Sequence, residues 1–335
     1  MSKLNEKQII NIFISKLRTN RRTTFARDDV AVIQRPKETM KDNHTNIILT
    51  CDMLVESTDV PKGAMRPWQI ARKSLIACIS DLSSKGILPS VSLISIGLPK
   101  KYSKSEIENL AYGFEMASKE FGFKIVGGDT NESQELVIDC SMIGFGSSNI
   151  YIPKRNGAKP GDLIVVSGEF GYPPSGLKIV GKDAKAQDRK FKEKAILSVI
   201  LPKSPQKFGT LLARHFSSAM DCSDGLAITL YELARQSKVN FLVDNIPTAK
   251  GVKKFAKNNY LDIKELIFHG GEEYEIVGTF PQSRLDKIRS IANKSKLKLL
   301  IIGRVQKGRG KVFVKNEMDD NYSVLEERGY VHFSQ

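Results

Sequence analysis

Four apolar segments of this chain each run into an aspartate: "NIILTC" into Asp52, "SLIACIS" into Asp81, "FKIVGG" into Asp129 and "SSAM" into Asp221. Asp28 and Asp29 stand at the opposite end of another such segment, "VAVI". Core-forming elements have rigid backbones, so carboxylates fixed at their ends hold position and can converge at one rim. Acids gathered that closely repel one another unless cations bind among them. Any one of these aspartates by itself reads as a helix cap or a turn residue. Their recurrence beside glycine, serine, threonine and cysteine points to a cation-binding rim.

The segments alternate in type. Residues 5–18 carry apolar positions at helical spacing, and "DDVAVIQR" and "NIILTCDMLVE" read as strands. "PWQIARKSLIACISDLSSKG" has helical spacing after a proline, and "PSVSLISIGLP" is a strand. "SKSEIENLAYGFEMASKEFG" is a serine-capped helix; "FKIVGGDT" and "ELVIDCSMIGFG" are strands. "SSNIYIPKRNGAKPGD" is the best linker, rich in glycine, proline and polar residues. Beyond it come the strand "LIVVSG", helices near 175–181, 188–200, 204–216 and after Asp224, and the strand "NFLVDN". A strand in the second half of "IKELIFHGGEEYEIVGTF", a helix at 282–295 and the strand "LKLLIIGRV" complete the pattern. The layout is that of two domains mixing helices and strands, 1–148 and 149–335, without internal repeats.

A formal net charge of +15 raises the question of nucleic acid. The lysines, however, are dispersed through helical faces such as "RLDKIRSIANKSKLK", and no basic run is interleaved with aromatics. Nucleic acid is therefore not the expected partner. No apolar run is long enough for a membrane span, and the first residues lack a cleavable secretory pattern. The cysteines Cys51, Cys78, Cys140 and Cys222 form no CxxC pair, which suits a reducing cytoplasm.

"DCSDGL", residues 221–226, puts two carboxylates and a hydroxyl where a helix would begin. It reads either as a cap or as an anchor for metal and phosphate, since helix starts offer N–H groups to anions. Oxygen-rich clusters suit Mg²⁺, which keeps waters and substrate phosphates in its shell. "GGDT" (127–130) and "GGEE" (270–273) set glycine pairs before acids, either as tight turns or to admit a ligand close to the backbone. "GLKIVGKD" (176–183) has the spacing of a phosphate loop, but Asp183 replaces the required hydroxyl and the interior reads as helix. No HExxH or GxSxG motif is present.

"RDDVAVI", "CDMLVESTDVP", "RKSLIACISDLSSKGILP", "IVGGDTNES", "NGAKPGD", "DCSDGL", "HGGEEYEI" and "RGYVHF" follow the order found in thiamine-monophosphate kinases. The chain thus resembles that family, in its archaeal form, within the aminoimidazole ribonucleotide synthetase superfamily. The resemblance spans nearly the whole chain. It implies an N-terminal α/β domain that contributes strands to a barrel shared across a homodimer, and a C-terminal α/β domain, with ATP in the cleft between them. The implied reaction moves the γ-phosphoryl of ATP onto thiamine monophosphate, giving thiamine diphosphate, in line and assisted by several Mg²⁺ ions. The acceptor is already an anionic phosphate oxygen, so no general base is needed, and the obstacle is repulsion between polyanions.

By the same resemblance Asp29, Thr50, Asp52, Asp81, Asp129, Asp221 and Asp224 match metal positions, and Cys51 stands where a further oxygen is commonly supplied. Tyr112, Gly128, Asp129, Arg155 and Ser223 match nucleotide contacts. Asp59, Glu272 and Tyr330 match the thiamine side, although Asp59 stands where many relatives carry histidine. "GGEE" replaces the usual "GGED", so that Glu273 is one methylene longer, and "FARDDVA" loses glycines and adds Arg27. The alternatives are another ATP-dependent enzyme of the superfamily, closest to the aminoimidazole ribonucleotide synthetase, and a non-catalytic nucleotide-binding protein. "DMLVESTDVP" and "RGYVHF" disfavour the first, and the intact acids disfavour the second.

Overall fold

The computed structural model describes residues 6–17, 28–33, 45–147, 149–316 and 320–332. Arg27 and the last residue of "RGYVHF", Phe333, lie outside the described residues. The helix expected at the N-terminus is α1 (Glu6–Leu17). Strands β1 (Ala31–Ile33), β2 (Thr45–Val55), β3 (Pro89–Leu98), β4 (Lys124–Glu132) and β5 (Val137–Ser147) form a five-stranded sheet ordered β1-β2-β5-β3-β4. Only β3 and β4 are parallel, a pairing that needs a crossover. Helix α5 (Lys104–Phe121) supplies it, opened by Ser103 and Glu106 in a reciprocal cap and closed by Gly122 at φ +76°.

After a single turn, α2 (Glu56–Asp59), the segment expected as one long helix is two pieces, α3 (Pro67–Lys73) and α4 (Ile76–Ser84). The Ser74 hydroxyl donates to the Ala71 carbonyl at 2.8 Å, competing with the helical ladder at the break. Ile76, Cys78, Ile79, Leu82 and even Ser80, Ser83 and Ser84 of α4 are buried. A helix buried all round belongs inside the molecule, and α4 lies between the two sheets. Its first-sheet face packs with Ile48, Ile138 and Met142. On the other side the Lys85 ammonium donates to the Ala219 carbonyl at 2.7 Å.

The second sheet has seven strands: β6 (Asp162–Val166), β7 (Ser218–Cys222), β8 (Val239–Val243), β9 (Glu275–Pro281), β10 (Leu300–Lys307), β11 (Val312–Lys315) and β12 (Tyr322–Val324). Their order is β12-β11-β8-β10-β6-β9-β7. Helices α6 (Tyr172–Val180), α7 (Arg189–Ile200), α8 (Gln206–Leu212), α9 (Leu226–Ser237), α10 (Val252–Asn258) and α11 (Leu285–Lys294) accompany it. One apolar cluster contains Phe170, Leu230, Phe241 and Phe268; another contains Phe208, Phe216, Phe280 and Ile288. Residues 176–180 of "GLKIVGKD" are helical within α6, so no phosphate loop exists there. No helix among the described residues is long and apolar enough to cross a membrane.

Among the described residues the first sheet is covered on one face only. Ile48, Thr50 and Leu54 of β2 point to α4 and are buried, while Cys51 and Met53 alternate to the other face and are exposed. Leu93 and Phe145 are exposed on that outer face too, and β4 is exposed along its whole length.

Candidate functional site

The rim of acids exists, and three different elements build it. Asp29 precedes β1, Asp81 sits within α4 rather than at its end, and Asp221 lies in β7. Carboxylate oxygens of these three lie within 4.8 Å of one another. Asp221 was expected at a helix start, but β7 runs through to Cys222 and α9 begins only at Leu226, after Gly225 at φ +117°. Asp221 is therefore fixed by the ladder with β9, opposite Ile276, and Asp224 lies in the turn that follows. Thr50 donates its hydroxyl to Asp81 and Ser80 donates to Asp221, so each acid is aimed by a neighbour.

Among the described residues, two cations enter the cluster. The fully buried Lys85 ammonium lies 2.6 Å from Asp28 and 2.5 Å from Asp29. Arg155, from the linker, donates to Asp29 through Nε at 2.8 Å and through a second guanidinium nitrogen. Burial alone would raise the Asp29 pKa, but Lys85 and Arg155 outweigh it and hold the carboxyl below its ordinary value. For Asp81, Asp221 and Asp52 burial and like charge prevail, although Arg155 and Ser80 oppose the rise at Asp221. Burial and the charges of Asp221, Asp52 and Asp29 push Asp81 well up. Burial and Asp29 push Asp221 to about 7, and burial with Asp224 and Asp29 pushes Asp52 to about 6. Asp52 also has a buried carboxylate oxygen, Oδ2, without a hydrogen-bond partner. Hard oxygens, mutual repulsion and an unsatisfied carboxylate together fit a site for divalent cations of the Mg²⁺ type.

Beside the cluster opens a cleft of about 490 Å³. Asp52, Asp59, Lys73, Ser223, Asp224, Glu272 and Tyr330 line it, so all three expected thiamine-side residues meet there. The chain brings them in by backbone bonds to the "DCSDGL" turn. The Glu272 N–H donates to the Ser223 carbonyl at 2.6 Å, and the Tyr330 N–H donates to the Asp224 carbonyl at 2.9 Å. A Cβ on Gly329 would fall 2.4 Å from the Asp224 carbonyl oxygen, so glycine is required for that approach. Tyr330 is half exposed and stands edge-on to His332. Asp59 spends one oxygen on the Val55 N–H at 2.7 Å, closing its own turn.

Some expected residues lie elsewhere. The glycines of "GGEE" approach protein rather than ligand: a Cβ at Gly270 would strike Pro174, and one at Gly271 the Ser223 carbonyl. Glu273 is buried, and its carboxylate accepts from the Gly171 N–H at 2.6 Å. Cys51 is on the outer face of the first sheet, its thiol 3.4 Å from Asp139. Asp129 is on the edge strand β4, across from Ser95, and Gly128 allows the β3–β4 pairing, a Cβ there falling 1.8 Å from the Ile94 carbonyl. Tyr112 is exposed on α5, edge-on to Trp68. In a single chain, β5 and β3 separate Asp129 from β2. Lys73, Ser80 and Lys85 went unread in the sequence although all three lie in "RKSLIACISDLSSKG".

Residues 27–146 match the family model "AIR synthase related protein, N-terminal domain", and 159–315 match "AIR synthase related protein, C-terminal domain". The thiamine-monophosphate kinase of Nitrosopumilus maritimus is 40% identical over 333 residues, spanning 99% of this chain and 100% of that one. The thiamine-monophosphate kinase of Pyrococcus horikoshii is 34% identical over 334 residues, spanning 99% and 97%. The structure of AaThiL complexed with AMPPCP and TMP superposes with a TM-score of 0.83 at 24% identity, covering 99% of each chain, and thus shares the fold. With these full-length matches, the chain belongs to the thiamine-monophosphate kinase family of AIR synthase related proteins.

Proposed function

We propose that this chain transfers the γ-phosphoryl of ATP directly to the phosphate of thiamine monophosphate, giving thiamine diphosphate. One observation carries the reading: the acid cluster and the ring-sized cleft are continuous, because Asp52 belongs to both. A phosphate at the cluster end of the cleft would have the thiamine rings toward Glu272 and Tyr330. An aromatic face and a carboxylate both favour the fixed positive charge of the thiazolium.

Asp29, Thr50, Asp52, Asp81, Asp221 and Asp224 are the residues that would hold Mg²⁺. Bound there, several such ions would neutralise and align the two polyanions for in-line transfer. The chain itself contributes rigidity and charge. Thr50 and Ser80 fix their acids, and Arg155 brings a guanidinium to Asp29 at the cluster, where a nucleotide phosphate would lie. No side chain has to remove a proton, since the acceptor oxygen is already anionic.

The homodimer supplies what one chain lacks. β1 covers only Ile47–Leu49 of β2, leaving the edge of Thr50–Val55 without a neighbouring strand among the described residues, while β4 is the opposite edge. A second copy closing the sheet into a barrel would bring the partner's Asp129, with the partner's Gly128 and the partner's Tyr112, toward β2, the Cys51 backbone and the nucleotide. Residues 1–148 would then form the dimerising, ATP-binding unit and residues 149–335 the second wall of the cleft. Four free cysteines fit work in the reducing cytoplasm. Purified protein given thiamine monophosphate and MgATP should form thiamine diphosphate and ADP, resolved by chromatography, and none with EDTA. Absence of thiamine diphosphate with Mg²⁺ present would overturn the reading.

A further inference from the structure

The cleft holds a cation that the functional reading leaves without a task. Lys73 ends α3, is buried, and lines the cleft. Its ammonium donates to Glu272 Oε1 at 2.5 Å and to the Asp59 carbonyl at 2.9 Å. The other Glu272 oxygen, Oε2, is buried and has no hydrogen-bond partner. Glu272 cannot readily turn away: its backbone is held at φ +66°, in the left-handed region, and its N–H is fixed on Ser223. A carboxylate with one oxygen clamped and the other left wanting a donor is a receptor for an N–H group, because an unmade buried hydrogen bond is costly.

We propose that Lys73 is a positioning residue: it clamps Glu272 so that the free carboxylate oxygen accepts from the amino group of the substrate's aminopyrimidine ring. The proposal deepens the functional reading and rests on it. Two alternatives are weaker on the geometry. Lys73 as a phosphate ligand would draw an anion against the carboxylate it already holds. Lys73 as a plain staple between α3 and the Glu272 loop leaves the unpartnered oxygen in the cleft unexplained. Burial raises the Glu272 pKa, Lys73 opposes that rise, and Asp59 adds to it. The charged and titratable neighbours are thus Lys73 and Asp59 from the first unit and Tyr274 from the Glu272 loop itself. Lys62 also lines the cleft, but Lys73 is the cation that bonds the Glu272 carboxylate, and removing it weakens both the aim and the charge of the acceptor.

The clamp makes the enzyme selective for a donor at this ring position. A 4′-oxo analogue of thiamine monophosphate offers an acceptor there and should be used about 100-fold less well by the wild-type protein, as sites built around a hydrogen bond reject analogues lacking it. Lys73→Met should raise the KM for thiamine monophosphate by about 10- to 100-fold, the scale of a charge-assisted hydrogen bond. The KM for ATP should stay within about twofold. The preference over the 4′-oxo analogue should collapse, and Lys73→Arg should restore most of both. Equal rises in both KM values, or an unchanged preference in Lys73→Met, would overturn the proposal. If Lys73→Met does not fold, the wild-type comparison decides, since equal use of the two substrates refutes the acceptor role. A wild-type protein that turns over neither substrate refutes instead the function on which the proposal rests.

Discussion

Replacing Asp81 with asparagine should stabilise the metal-free protein while nearly abolishing turnover. Asp81 lies within 4.8 Å of carboxylate oxygens of Asp29 and Asp221 and accepts a hydrogen bond from Thr50. Asparagine keeps the shape and an acceptor oxygen for Thr50 but removes the charge. Two full charges at that distance repel by about 3 kcal/mol at an effective dielectric constant of about 20. The cluster escapes part of this by holding protons: the rise of Asp221 from 3.8 to about 7 corresponds to about 4 kcal/mol. Removing one of the charges should therefore return about 1–3 kcal/mol at pH 7.5 in EDTA, a rise of about 1–4 °C in Tm. With Mg²⁺ the order reverses, because the wild-type protein gains stability by binding and Asp81→Asn loses much of that gain. Turnover should fall by about two orders of magnitude or more, the scale of losing a key electrostatic element. Calorimetry in EDTA and in Mg²⁺, with a rate assay, checks all three. An Asp81→Asn protein that is less stable in EDTA, keeps the Mg²⁺ shift and turns over normally would refute the reasoning.

Asp52 and Asp221, with folded-state pKa values of about 6 and about 7, take up protons on folding between about pH 4 and pH 7. Their contribution is complete below about pH 4 and is lost as pH rises through 6 and 7, so urea midpoints in EDTA should fall from pH 5 to pH 7.5 and the fall should shrink with Mg²⁺. Tyr330→Ala and Asp59→Asn, the latter a variant that keeps an oxygen for the Val55 N–H, should raise the KM for thiamine monophosphate several-fold and leave that for ATP unchanged. Equal effects on both substrates with a lowered Tm would mean that these residues only pack. Light scattering should give a dimer at micromolar concentration, and Leu93→Asp on the exposed outer face of the first sheet should weaken it. A monomer throughout would contradict the barrel shared between copies.

Much of the site was legible because its acids stand at or beside elements with strong apolar patterns. Asp29, Asp81 of α4 and Asp221 of β7 converge, and Asp52 of β2 adjoins Asp81, whereas Asp129 stays apart on β4 within one chain. What failed was local. Asp221 and Asp224 look like a helix start, but the small residues of "SSAM" form a buried strand whose partner, β9, lies far along the chain. The "GGEE" glycines serve contacts with Pro174 and Ser223, a demand visible only in three dimensions. Strand alternation could have separated Cys51 from Thr50 and Asp52, since neighbours in a strand face opposite ways. The clamping cations were harder to see. Lys73 and Lys85 look like surface residues in sequence, and only burial against Glu272 and Asp29 reveals what they hold.

A phosphoryl group passed from ATP to the phosphate of thiamine monophosphate at the junction of cluster and cleft can be traced by label. The most direct measurement follows the group itself. Purified protein is incubated with Mg²⁺, thiamine monophosphate and ATP labelled with ³²P at the γ-position, and every labelled product is resolved. Direct transfer should give thiamine diphosphate labelled in its terminal phosphate, formed in step with ADP, and no label retained on the protein. Label appearing only as inorganic phosphate, or attached to the chain, would contradict it.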